Sequence, residues 1–111
     1  MPLFVVTYDH PNEDGWKLHV MPHVVWLQER LADGSLLASG PFTDTAVKSA
    51  LLIMSAADRP TLEGLIARDP FAEHGLIDHM TVNEWNPIFG AFNDRSNMPG
   101  QTQGSEARPS T

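Results

Sequence analysis

Four apolar runs alternate with two amphipathic ones along this chain, and their order is the first thing the sequence establishes. Leu3-Phe4-Val5-Val6-Thr7-Tyr8 is β-branched and aromatic without clear alternation, as expected of a strand buried on both faces. Asp9 to Gly15 breaks the pattern with loop formers. From near Leu18 to Ala32, Val20, Val24, Leu27 and Leu31 recur at helical spacing and predict an amphipathic helix, stopped by Asp33-Gly34. Pro22 suits a first turn and disrupts a helix interior, so this helix is not expected to begin far upstream. His23 then falls near its N-terminus, about 60° from the centre of the apolar stripe.

Ser35 to Phe42 reads as a second strand, ended at Gly40-Pro41 because Pro41 has no amide to donate to a ladder. Val47 to Ser55, continuously apolar from Ala50 to Met54, is a third, joined to the second as a hairpin. Asp58 can cap a second helix with Pro60 in its first turn. Leu62, Leu65 and Ile66 line its inner side, and Asp69 occupies the next place where an apolar residue is expected, just before the Pro70 stop. After the short Phe71–Gly75 stretch, Leu76 to Trp85 is the fourth strand. Beyond Asn93 the chain is rich in Ser, Gly, Pro, Gln and Thr, so 1–93 is expected to be the domain and 94–111 a disordered tail.

The order β-α-β-β-α-β predicts an α+β, ferredoxin-like fold, an antiparallel four-stranded sheet with two helices on one face. The first and third strands should be central, and they are the continuously apolar ones. Two helices cover one sheet face, so the apolar residues of the other face call for a second copy, and a homodimer with sheets face to face is expected.

Composition narrows the functions. The 111 residues suit one domain, and the absence of cysteine excludes disulfides and thiolate chemistry. A net charge of −7, from 14 acidic and 7 basic residues, disfavours nucleic acid and anionic membrane as partners. No apolar run is long enough to span a bilayer, and no signal segment is evident, so a cytoplasmic location is expected.

The chemistry-bearing residues are histidines and one aspartate. In the expected topology the helices run antiparallel, which brings His23 to the end of the fold where Asp69 lies. A carboxylate beside an imidazole fixes its tautomer and makes a general acid/base. The same two residues can equally be structural, Asp69 holding the turn before Pro70 and His23 bonding a carbonyl. Tyr8, at a strand end, can donate to an oxyanion or simply pack, and Phe4, Trp26, Met54 and Phe71 can wall an aromatic-sized pocket or fill a core. Three rivals stand beside this reading. His19 and His23, at i and i+4, can form part of a metal site with Asp9, His10 or Asp69. Pro2 can act as an N-terminal amine base. The chain can also be a non-catalytic dimeric module that binds a ligand or a partner, with the acidic His74–His79 region, including Asp78, as a contact surface.

The strings PHVVWL, LLASGPF and ARDPF, in this order and spacing, resemble the YciI-related (YCII) family over about residues 3 to 90. The resemblance implies ferredoxin-like chains paired into dimeric α/β barrels. It implies an active site made by a histidine of the first helix and the aspartate of the Asp-Pro-Phe motif, here His23 and Asp69. Ser39 and Gly40 match the family's Ser-Gly-Pro turn and are implied substrate contacts. An arginine that many members carry shortly before the histidine is absent, since His19, Val20 and Met21 stand there. The implied activity is cofactor-independent lyase chemistry, such as dehydrochlorination of a chlorinated hydroxyquinol, or isomerisation of a lactone in aromatic breakdown.

Overall fold

A computed structural model describes residues 1–98. Its elements are β1 (Leu3–His10), α1 (Glu13–Asp33), β2 (Leu36–Pro41), β3 (Lys48–Ser55), α2 (Arg59–Ala67), α3 (Pro70–Glu73) and β4 (Asp78–Trp85), with a short 3₁₀ turn at Asn93–Arg95. The strands form one antiparallel sheet in the order β2-β3-β1-β4, with β1 and β3 central as expected for the ferredoxin-like fold. Most of the tail expected over 94–111 lies outside the described residues.

Alternation along the central strands decides what is covered. Phe4, Val6 and Tyr8 of β1 and Leu52 and Met54 of β3 turn inward, where they meet Trp26 of α1 and Leu62 and Ile66 of α2. Each such side chain contributes about 1.5–3 kcal/mol on full burial, so this layer is the main source of stability. Val5, Thr7, Leu51 and Ile53 point to the other face and are only half-buried in the single chain. The apolar continuity of β1 and β3 therefore has one satisfied face and one open one. Thr7 and Thr81 bond hydroxyl to hydroxyl across the open face.

The first helix differs from its expectation. It begins at Glu13, not near Leu18, because Asn12 caps it by accepting the Gly15 amide at 3.0 Å, with Glu13 and Asp14 at the positive end of the helix dipole. Pro22 therefore sits inside the helix. It is tolerated because its ring is exposed, and the carbonyl denied a donor, that of Leu18, lies one turn back on the same exposed side. Gly15 permits the close approach of this first turn to the segment between α3 and β4: a Cβ there would come within 2.5 Å of Leu76 Cδ2. Leu31, expected in the buried stripe, is exposed, and Trp26 is the residue of α1 that is buried.

The second helix follows its sequence signals. Asp58 caps it by accepting the Thr61 amide at 2.9 Å, and Leu62 and Ile66 are buried. The Phe71–Gly75 stretch is not a mere coda, since its first residues form the single turn α3.

Candidate active site

Helix lengths place the central pair. At about 1.5 Å per residue, the 21 residues of α1 extend for about 31 Å and the nine of α2 for about 13 Å. The end of the short helix thus comes beside the middle of the long one. His23, expected near the start of α1, lies at its middle, and it meets Asp69 there all the same.

Asp69 owes its position to Pro70. The residue before a proline is driven to extended backbone, and Asp69 has φ −62° and ψ 130°. Pro70 has no amide proton, so the first amide that a cap can satisfy is that of Phe71, and Asp69 Oδ1 accepts it at 3.0 Å. The same oxygen lies 2.8 Å from His23 Nδ1. A carboxylate oxygen that already accepts an amide can only accept again, so His23 Nδ1 carries the hydrogen and Nε2 is the free position. Asp69 is 0% exposed and the His23 side chain 12% exposed, which makes this a largely desolvated pair. Phe71 stacks on the His23 ring at 4.1 Å between centroids and fixes its plane.

Tyr8 stands behind the pair. Its hydroxyl and Asp69 Oδ2 are both buried, and neither meets hydrogen-bond geometry with a partner among the described residues. Burial first, and then the Asp69 carboxylate nearby, raise the pKa of the phenol far above its ordinary value, so it keeps its proton. Its ring lines the cleft.

The cleft itself holds ≈ 220 Å³ between α1, the β2–β3 hairpin and the end of β1. An apolar cavity of about 150 Å³ accepts a benzene ring, so this space suits one substituted ring. Its α1 wall is Trp16, Val20, His23 and Leu27, spaced 4, 3 and 4 residues apart. Ser39 and Gly40 line the β2 side, and Ser39 Oγ makes no hydrogen bond among the described residues.

Three more residues complete it: His10, which the sequence offered only as a possible metal ligand, and Lys48 and Trp16, which it did not single out. His10 is buried at the end of β1, two residues beyond the strand end expected from sequence, and its Nδ1 lies 3.0 Å from the Leu76 carbonyl. A carbonyl can only accept, so here too Nδ1 carries the hydrogen and Nε2 remains. Burial lowers the pKa of His10, more than the Leu76 carbonyl raises it, and favours the neutral ring. Lys48 faces His10 across the β1–β3 ladder, and its Nζ lies 4.5 Å from the centroid of the Trp16 indole. Two signals were available: the period of Phe4, Val6 and Tyr8 continues to His10, and a helix begun at Glu13 puts Trp16 on the face of Val20 and His23.

His19 does not join His23. It stacks on His74 at 3.8 Å, outside the cleft, and no group of three or more His, Asp or Glu among the described residues is placed to hold a metal ion. Asp78 and His79 lie at the exposed start of β4, where His79 Nδ1 is 3.2 Å from Asp9 Oδ2. No helix of the described residues is long and apolar enough to cross a membrane.

The fold has solved counterparts. The chain is similar to 5-chloro-2-hydroxyhydroquinone dehydrochlorinase (TftG) from Burkholderia phenoliruptrix AC1100, solved in complex with 2,5-dihydroxybenzoquinone. That match has a TM-score of 0.64 and 22% identity, over 76% of this chain and 93% of that one. It is similar to an antibiotic biosynthesis monooxygenase at a TM-score of 0.50 and 16% identity, over 76% of this chain and 96% of the other. Rv0793 from Mycobacterium tuberculosis matches with a TM-score of 0.51 and 12% identity, over 82% of this chain and 99% of that one. These likenesses establish the ferredoxin-like fold. No curated protein matches the sequence. The YCII-related domain profile matches residues 1–86, more than three quarters of the length, and the chain accordingly belongs to the YCII-related family.

Proposed function

We propose that this protein is a cofactor-independent lyase or isomerase for a small, ring-sized substrate, with His23 as general base and then acid and Asp69 orienting it. The observation that carries the reading is the 2.8 Å contact between Nδ1 of His23, which lines the cleft, and a fully buried Asp69 that does not. Nε2 takes a proton from a phenol or from a carbon beside a carbonyl, and Asp69 offsets the imidazolium charge that forms. In an elimination the electron pair released expels the leaving group, chloride for a chlorinated ring, and His23 loses the proton to solvent. In an isomerisation His23 returns it to another carbon. Ser39 and the backbone at Gly40 contact the substrate from β2.

Support comes from the family and from the shared fold with a dehydrochlorinase. The test is chloride release from chlorinated hydroxyquinols and conversion of substituted muconolactones, by the parent and by His23→Gln. Turnover by the parent and a fall in kcat/KM of about 10²–10⁴-fold in the variant are expected. One fact favours a second reading: Asp69 Oδ1 also accepts the Phe71 amide, so the pair can serve only to pin α3 to α1. Turnover insensitive to His23 would leave the pair as a structural pin between α3 and α1, and no turnover from either substrate class would select the binding module.

The assembly that fits this reading is a homodimer joined through the open sheet face at Val5, Leu51 and Ile53. Light scattering at micromolar concentration should give twice the chain mass, and Leu51→Asp should give the mass of one chain.

A further inference from the structure

The charges around the cleft are distributed unlike those of the rest of the chain. Acidic residues outnumber basic ones by 14 to 7 in the sequence, yet no Asp or Glu lines the cleft, and Lys48 is its one Lys or Arg. The two carboxylates hydrogen-bonded to side chains of the cleft are already engaged. Asp69 is bonded to His23, and Asp9 accepts from Ser49 Oγ at 2.8 Å and lies 3.2 Å from His79. Lys48 makes no ion pair among the described residues.

What holds Lys48 in place is the face of Trp16. This matters because an aromatic face positions an ammonium without neutralising it, whereas a carboxylate would do both. Across the ladder, His10 is tethered to Leu76 and kept toward its neutral form, so it adds no fixed second cation beside Lys48. The ring of Trp16 in turn stacks on Phe71 at 6.3 Å, which continues the flat wall from the lysine to His23.

We propose that the cleft selects a small planar anion, a single-ring carboxylate, phenolate or enolate, and that Lys48 is the group that recognises its charge. The ring lies along the Trp16–Phe71 wall with its anionic oxygen at the ammonium. This deepens the enzymatic reading of the same cleft and rests on it for calling the ligand a substrate. In that reaction Lys48 also faces the negative charge that builds up on the substrate when His23 removes a proton, a role that needs an ammonium not neutralised by a carboxylate of the protein.

The experiment compares benzoate with its neutral isostere benzamide, titrated into the full chain and followed by the NMR signals of the Trp16 indole and the His23 ring. Charge-assisted contacts predict benzoate tighter by about tenfold or more. Lys48→Met, which keeps a side chain of similar length, should bring the two ligands within about twofold to threefold, and Lys48→Arg should retain the preference. Equal affinities in the parent, a preference that survives Lys48→Met, or no shift with either ligand at millimolar concentration would each overturn the proposal. The two readings fail separately. His23→Gln should keep the benzoate preference, so loss of turnover there with the preference intact leaves both standing. A substrate turned over through His23 with no anion preference removes only the role of Lys48. An anion preference through Lys48 with no turnover of any substrate removes only the acid–base chemistry.

Discussion

Two imidazoles border one cleft, His23 on the helical wall and His10 at the end of the central strand, and they are held in different ways. Both donate through Nδ1, and both keep Nε2 for other use. The acceptor of His23 is a carboxylate, which can offset a positive charge; the acceptor of His10 is a backbone carbonyl, which orients the ring and offers much less to a charge. A group that must carry a proton and release it belongs beside the first kind of acceptor. The second kind suits a neutral ring that accepts a hydrogen bond from a ligand or simply packs. Under the proposed function, this difference gives the proton transfer to His23 and a positioning role to His10.

The sharpest way to break this comparison is to exchange the histidines in turn. His23→Gln should lower kcat/KM by about 10²–10⁴-fold, and His10→Gln by no more than about tenfold. Equal losses would mean that the two anchors do not divide the labour. The acceptor itself comes next. Asp69→Leu leaves His23 Nδ1–H and the Phe71 amide without their acceptor, and should cost about 3 kcal/mol of stability in denaturant unfolding. Asp69→Asn keeps an accepting oxygen and should cost less than half of that while still impairing turnover.

A smaller effect sharpens the role of His10. Its pKa in the folded chain lies below the ordinary histidine value of 6.5, because burial disfavours the charged ring. Between the folded value and 6.5 the unfolded chain therefore binds more protons, and stability rises with pH. The contribution is complete above about 6.5 and is lost as pH falls from there toward the folded value. The unfolding midpoint of the parent should drop over that window more than the midpoint of His10→Gln does. Superimposed profiles would show that burial of His10 carries no such penalty.

Much of this was legible in local pattern. The continuous apolar runs of β1 and β3 marked the central strands, Gly34 and Pro41 marked stops, and Asp58 marked a cap, because each acts through its own backbone or nearest neighbours. Asp69 stood out as a carboxylate in an apolar register. The start of α1 was misplaced for an equally physical reason. Asn12, Glu13, Asp14 and Gly15 serve a turn or a helix N-terminus alike, and Pro22 argued for a late start. Its compatibility with a helix interior depended on which side of α1 faces water, and packing against the sheet decides that.

What the sequence determined by itself was the order and kind of elements, hence the fold, together with the two residues of the central pair. The pairing of His23 Nδ1 with Asp69 Oδ1 brings together residues 46 positions apart, and only the tertiary structure sets that distance. The same holds for His10 against Leu76 and for Lys48 over Trp16. Local periodicity specifies which face of an element a residue occupies, but not which residue of another element it meets. That depends on helix length, strand register and the angle at which layers pack, and no single segment contains those quantities.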